Sequence, residues 1–526
     1  MNRHPVTPVT VLLVAVACIL ASGCGSTVQV EPPTASATTV ASPSPNPTLV
    51  LPPVSGPDPS YRAAVFYYPW YRTPATDGYW AHWEDPGFQP PLDITSDYYP
   101  VLGAYSIADE AVVAQHFAWL REAGVGVIIS SWWGQGSLED QAVPLLLEVG
   151  QRYGIKVAFH IEPYGGRTSE RLLGDVQYLY RVYGSHPAFY RTAAASGFSP
   201  TGGSKGLFFV WAIRFPDFDE AAVGPEYWQE TVDAVHALPD GGLLIANATE
   251  SDWVEDGHFD GLYNYATLKL EDGGFSWARG IPPDAWYVPS VIPGFSARRI
   301  GYPEEDYVPR LGGDTYAEQW RQALGTGVEP ALVTITSFNE WHEGSQIEPA
   351  AEEATNGLGY AYQDYLPLAP DGYLALTRQW VGRYLSATWP ATERIRIRLT
   401  TTSDWTTFSL VDGASWLRPN VLSASEEAVE ARMDGDHFVL QQPIAHAEDG
   451  RSVQMTVDVL LADWEAGGTL SFGIGRGHLG STKVELSKCS GSECEVAGTF
   501  TWAGTRAEAR NELTVKMSVD DLLPAP

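Results

Sequence analysis

At 526 residues the chain exceeds one ordinary domain, so a large core plus at least one further module is expected. Hydrophobic residues at 44% and charged residues at 18% supply enough apolar surface to fold, which excludes global disorder. A net charge of -32, from 64 acidic against 32 basic side chains, repels nucleic acid and anionic headgroups over most of the surface and favours a neutral partner.

Residues 1–23 read as an export signal: Arg3 supplies the charged start, and the apolar run from Val9 to Ala21 is too short to span a bilayer comfortably. The run ends in Leu20-Ala21-Ser22-Gly23-Cys24, which resembles a bacterial lipobox and implies cleavage before Cys24 and acylation of its thiol. Simple secretion is the alternative. Residues 24–59 are rich in Pro, Ser, Thr and Ala with almost no charge, the composition of an extended tether. The expected location is therefore the bacterial cell surface, with contact to the membrane only through the lipid.

From residue 60 to 388, apolar runs of strand type alternate with helical segments, which implies parallel strands joined by helical crossovers. The candidate strands are Ala63–Trp70, Val125–Trp133, Lys156–Tyr164, Gly206–Ile213, Leu243–Thr249, Gly261–Ala266, Trp286–Pro293 and Ala331–Trp341. Eight such runs predict a (β/α)8 barrel. Asp109–Ala123 carries Val112, Val113, His116, Phe117 and Leu120 at helical spacing, and Glu139–Tyr153 and Asp314–Leu324 behave alike. The fifth and sixth connections look short, and a helix around Gly372–Leu385 closes the domain. An open doubly wound sheet is disfavoured because no Gly-rich phosphate loop follows the first strand.

Residues 389–526 change texture to alternating polar and apolar segments, as in Ser452–Leu460, Thr469–Ile474 and Leu513–Ser518, which predicts a smaller β-sandwich accessory domain. Cys489 and Cys494, separated by four residues, are the one plausible disulfide of an exported chain, since Cys18 leaves with the signal. No second Cys/His pair stands nearby to make them metal ligands.

Barrel enzymes place their chemistry at the C-terminal ends of the strands. Here those ends are Phe66-Tyr67-Tyr68-Pro69-Trp70-Tyr71, Ser131-Trp132-Trp133-Gly134, His160-Ile161-Glu162-Pro163-Tyr164, Tyr263-Asn264-Tyr265 and Phe338-Asn339-Glu340-Trp341-His342-Glu343-Gly344. Glycosidic cleavage needs one acid to protonate the departing oxygen and a second group to act at the anomeric carbon. Glu340 and Glu343 emerge together after an apolar run, and a helical turn would set both on one face. Repulsion and desolvation would then separate their proton affinities, although which acid keeps the proton is not fixed by sequence. Glu162, beside His160, is read either as orienting a sugar hydroxyl or as an ion-pair partner of Arg167. Tyr68 and Trp133 are read as stacking or core residues, and Tyr265 as facing the cleft or the barrel core. The pairs His342/Glu343 and His160/Glu162 lack the spacing of a zinc helix, and no serine elbow is present, so neither a metal nor another cofactor is expected.

The string Phe338-Asn339-Glu340-Trp341-His342-Glu343-Gly344-Ser345-Gln346-Ile347-Glu348-Pro349, with the strand ends above and Pro289-Ser290-Val291-Ile292-Pro293-Gly294-Phe295, resembles glycoside hydrolase family 99, the endo-α-mannosidases. The likeness spans about Tyr61 to Pro349. It implies a metal-free barrel that cleaves mannose-containing glycans with net retention, and a pair, Glu340 and Glu343, working through a 1,2-anhydro sugar. It also implies that Trp133 lines a distal sugar subsite and that Tyr68, Glu162 and Tyr265 contact substrate; His160 belongs to the same expected set. Ser345 stands where Thr is usual, and the segments Ala266–Leu270 and Val210–Ile213 stray from the family pattern. A monomer is expected. The rival readings are a glycan-binding surface lipoprotein without turnover, and a metal-dependent deacetylase or esterase acting on cell-wall glycan.

Overall fold

The computed structural model describes residues 51–387, apart from 85–86, 193–204, 217–221, 267, 269, 271–273 and 304–305, and beyond them the backbone of strands between 393 and 518. The expected signal, Cys24 and the tether up to residue 50 lie outside the described residues.

Each expected run overlaps a strand: β1 Ser60–Tyr67, β2 Val125–Trp132, β3 Lys156–Ile161, β4 Lys205–Val210, β5 Leu243–Asn247, β6 Gly261–Tyr263, β7 in two pieces (Trp286–Val288 and Ser290–Val291) and β8 Val333–Ile335. They pair in parallel in sequence order, and β8 returns to β1 with Ala63 opposite Val333. Pro289, which has no N–H, divides β7, yet its carbonyl accepts the Thr334 N–H at 2.9 Å. The first piece of β7 pairs with β6 and the second with β8, an order consistent with a (β/α)8 barrel. All eight residues of β2 are buried, as they must be when a parallel strand is covered on both faces.

Six longer helices follow: α1 Glu110–Glu122, α2 Leu138–Tyr153, α3 Ser169–Tyr183, α4 Glu226–His236, α5 Asp314–Leu324 and α6 Gly372–Ser386. The apolar side of α1 is the expected one, Val112, Val113, His116, Phe117 and Leu120 all being buried, and the Asp109 carboxylate caps it by accepting the Ala111 N–H at 2.9 Å. The connections after β5 and β6 are indeed short, a four-residue helix Asp252–Glu255 and a 3-10 turn Ser276–Gly280.

The last stretch expected to be tether is fastened to the barrel. Arg121 donates to the Ser55 carbonyl at 3.1 Å and to Asp58 at 2.8 Å, and Tyr153 donates to the Pro52 carbonyl at 2.5 Å. This strap lies ahead of β1, at the barrel end opposite the strand termini that carry the acids. Among the described residues no helix is long and apolar enough to cross a membrane.

Beyond the barrel, the backbone forms two five-stranded sheets with antiparallel pairing. The three segments singled out for their alternation each hold a strand, Val453–Leu460, Thr469–Gly473 and Val515–Ser518. Cys489 and Cys494 are register partners on adjacent strands; their side chains lie outside the described residues.

Candidate active site

The chain leaving β8 does not continue as strand to Trp341. It folds back on itself: the Ser337 N–H donates to the Ser345 carbonyl at 2.8 Å and the Ile347 N–H to the Ser337 carbonyl at 2.9 Å. Between these ties, Trp341–Gly344 form one hydrogen-bonded turn, with the Gly344 N–H on the Trp341 carbonyl at 3.2 Å. The helical turn anticipated for Glu340 and Glu343 is thus a single turn that begins just after Glu340. Gly344 sits at φ 58, where L side chains are strained, and an added Cβ would lie 2.8 Å from the Ser296 carbonyl.

Each acid has a pinned backbone. The Tyr71 hydroxyl donates to the Asn339 carbonyl at 3.0 Å and accepts the Trp341 N–H at 3.2 Å, bracketing Glu340. The Glu340 N–H reaches Ser337 Oγ at 2.8 Å, and the Glu343 carbonyl accepts the Ser296 N–H at 2.7 Å. Asn339 joins the loop to the end of β1 by exchanging hydrogen bonds with the Tyr68 main chain at 2.8 and 3.0 Å. Trp341 anchors the turn inward, its indole N–H lying 2.9 Å from Glu348 and 3.1 Å from the Tyr105 hydroxyl. Glu348 is fully buried, takes the Tyr105 O–H at 2.7 Å and lies 3.2 Å from His116. Arg310, enclosed by Tyr98, Tyr365 and Tyr373, clasps the far side through the carbonyls of Gly344 (2.9 Å) and Gln346 (2.7 Å).

Glu340 and Glu343 are 2% and 4% exposed, so both carboxylates are held largely away from water. Burial, then the charge of Glu343, pushes Glu340 well above the usual carboxylate range, against the pull of the main-chain N–H groups of His342 and Glu343. Burial, then the charge of Glu162, pushes Glu343 up to about 7. The two titrate as a pair, which gives up its first proton near neutrality and its second only at higher pH.

The other expected residues gather around this pair. The Tyr68 and Tyr265 hydroxyls hydrogen-bond to each other, and burial, followed by neighbouring charges that include Glu162, Glu340 and Glu343, raises both phenols well above their ordinary range, so they stay protonated. The Tyr265 ring packs on Phe66 and His160. Glu162 accepts from Ser131 Oγ at 2.8 Å and lies 2.8 Å from His160 Nδ1, while His160 Nε2 meets the Tyr263 hydroxyl at 2.6 Å. Trp133, half-buried, reaches the same Ser131 Oγ at 3.1 Å.

The alternative pairing of Glu162 with Arg167 is not what forms. Arg167 is fully buried and spends its guanidinium on the carbonyls of Ile161, Trp211, Ala212, Phe215 and Pro216, so that its planar fork of donors ties the end of β3 to the loop after β4. No group of three or more His, Cys, Asp or Glu among the described residues is placed to hold a metal ion. Sequence reasoning did not single out Tyr71, Asn339, Arg310, Glu348 or Ser296. All but Arg310 and Ser296 stood inside the quoted motifs, whereas those two had no local signal.

Residues 60–386 match the model of Glycosyl hydrolase family 99. The chain belongs to that family. As a member it is a glycoside hydrolase acting on glycans. The chain is 34% identical over 376 residues to a glycoprotein endo-alpha-1,2-mannosidase-like protein of Danio rerio, covering 63% of this chain and 80% of the relative. To the glycoprotein endo-alpha-1,2-mannosidase of Rattus norvegicus it is 32% identical over 405 residues, covering 68% and 80%. Among solved structures, the family 99 endo-alpha-mannosidase from Bacteroides thetaiotaomicron aligns with a TM-score of 0.54 at 31% identity, covering 62% of this chain and 98% of that one.

Proposed function

We propose that the chain is a retaining, endo-acting α-mannosidase in which Glu340 and Glu343 do the chemistry. The observation that carries this is the buried pair on one pinned loop, both acids raised by burial and Glu340 also by Glu343, beside the protonated Tyr68 and Tyr265. The route needs Glu340 ionised and Glu343 protonated once substrate is bound; the two N–H groups aimed at Glu340 act in that direction, against the burial and the Glu343 charge that hold Glu340 the higher of the two in the free chain.

Glu340 then draws the proton from the 2-hydroxyl of the mannose unit while that oxygen attacks the anomeric carbon. The bond to the departing sugar breaks, Glu343 delivers its proton to the leaving oxygen, and a 1,2-anhydro sugar results. In the second half Glu343 takes a proton from water, the water oxygen attacks the anomeric carbon, the epoxide bond opens, and Glu340 returns its proton to the 2-oxygen. Two inversions give net retention and both acids end as they began. A close pair on one turn suits this route better than a direct carboxylate nucleophile, which ordinarily faces its acid across the sugar at about 5–5.5 Å. Tyr68, Trp133, His160, Glu162 and Tyr265 serve as substrate contacts in this reading.

The working organisation is a signal over 1–23, a tether over 24–59 anchored through acylated Cys24, a barrel domain over 60–388 and a β-sandwich module over 389–526 braced by a Cys489–Cys494 disulfide. The deciding experiment incubates the purified chain with α-1,2-linked oligomannosides, α-mannans and N-glycan fragments, following product size and anomeric configuration. Internal cleavage with retained configuration supports the reading; inversion, or release of single terminal sugars only, overturns it.

A further inference from the structure

Trp211 follows β4 directly, and its placement comes from strand alternation. Phe209, two residues earlier, points into the barrel, where its ring meets Phe66 at 5.9 Å and Tyr263 at 5.1 Å. With a side-chain period of two, Trp211 faces the same way one layer nearer the mouth. There its ring lies 4.8 Å from Tyr265 and 5.8 Å from His160, the residues beside Tyr68 and Glu162. Phe209 is fully buried whereas Trp211 is half-buried, so the upper layer is open on one side. In the closed strand order β4 stands four strands from β8, across the barrel from the Glu340–Glu343 turn.

The backbone holds this indole firmly. The Trp211 N–H donates to the Ile161 carbonyl at 3.1 Å, and Arg167 Nη1 binds the Trp211 carbonyl at 2.8 Å while Nη2 binds that of Ala212 at 3.1 Å. Ala212 is turned to φ 46, a conformation uncommon for a residue with a side chain. A fully buried cation thus fixes a half-buried aromatic at the mouth, which is the arrangement of a preorganised contact surface.

Resting on the glycan-cleaving reading, we infer that Trp211 is the opposite wall of the substrate cleft and stacks on the apolar face of a pyranose bound beside the scissile linkage, setting which sugar is accepted there. Flat, rigid aromatic area costs little conformational entropy to use and matches the C–H face of a hexose.

The test uses the full chain carrying Glu343→Gln, so that ligand stays intact, with and without Trp211→Ala or Trp211→Phe, titrated with α-1,2-oligomannosides and screened on a mixed glycan array. The alanine change is expected to weaken binding by about 10-fold or more, the scale of a buried aromatic anchor, and phenylalanine to restore most of it. Far-UV circular dichroism should be unchanged in both, and both should keep a single cooperative barrel transition. In the active chain, Trp211→Ala should raise KM more than it lowers kcat, as loss of uniform binding does. Undiminished affinity in a folded Trp211→Ala chain overturns the inference, as does a parent chain that binds no glycan at all. If the parent ignores mannosides but binds another sugar, the mannosidase reading fails alone, and loss of that other binding in Trp211→Ala still upholds the stacking role.

Discussion

Replacing Glu343 by Gln should abolish turnover and stabilise the fold, with the gain growing as pH rises. Burial raises Glu343 from 4.5 to about 7, so the folded chain holds this proton more tightly than the unfolded chain does. Stability from such a group is fully present below the unfolded pKa and is lost as pH climbs through the folded value, here across the window from about 4.5 to 7. A shift of that size corresponds to roughly 3 kcal/mol, of which more than half falls between pH 5 and pH 8. Glu340, raised further still, adds to the cost in the same direction. A neutral amide of equal shape removes the cost, so chemical-denaturation curves of parent and variant should nearly coincide at pH 5 and separate by roughly 2–3 kcal/mol at pH 8 in the barrel transition. Comparing the two pH values cancels any hydrogen bond the amide gains or loses. A stability difference that does not change with pH would refute the claim that this carboxyl is held protonated by burial.

Glu340→Ala and Glu343→Ala should each cut kcat/KM on an oligomannoside by several kcal/mol of barrier, and normal turnover by the Glu343 variant would sink the assignment of the acid. In the parent, kcat/KM should rise with pH as the pair loses its first proton near 7 and fall as the second leaves at higher pH; a flat profile across that range contradicts the paired titration. Gly344→Ala should cost about 1–2 kcal/mol of stability from its left-handed backbone alone, and because the new methyl meets the Ser296 carbonyl it should also depress kcat, read by steady-state kinetics. Arg310→Lys keeps the charge but loses the fork that holds the Gly344 and Gln346 carbonyls, so activity should drop by about 10-fold or more while the chain stays folded; unchanged kcat would show that the clasp is dispensable.

The barrel was legible because its signal is local and repeated. Eight apolar runs separated by crossover-length segments leave few topologies, and the helix at Asp314–Leu324 appears with the bounds its pattern suggested. Strand ends were overestimated at β8, where burial runs on through Thr336, Ser337 and Phe338 although ladder pairing stops at Ile335, since burial and strand pairing are different demands on the same residues. The α3 and α4 crossovers went unnamed, and spacing could not decide whether Glu162 pairs with Arg167; in the fold it lies against His160 and Ser131 instead.

By itself the sequence determined which acids stand together, that they follow an apolar strand run, and that aromatic side chains crowd the strand ends. Only the tertiary structure decided what makes those acids chemically unequal to ordinary surface carboxylates: burial to a few per cent exposure, the N–H groups aimed at Glu340, and the distant clasps from Tyr71, Ser296 and Arg310. Proton affinity depends on the dielectric and the charges around a group in space, and those come from residues tens to hundreds of positions away along the chain.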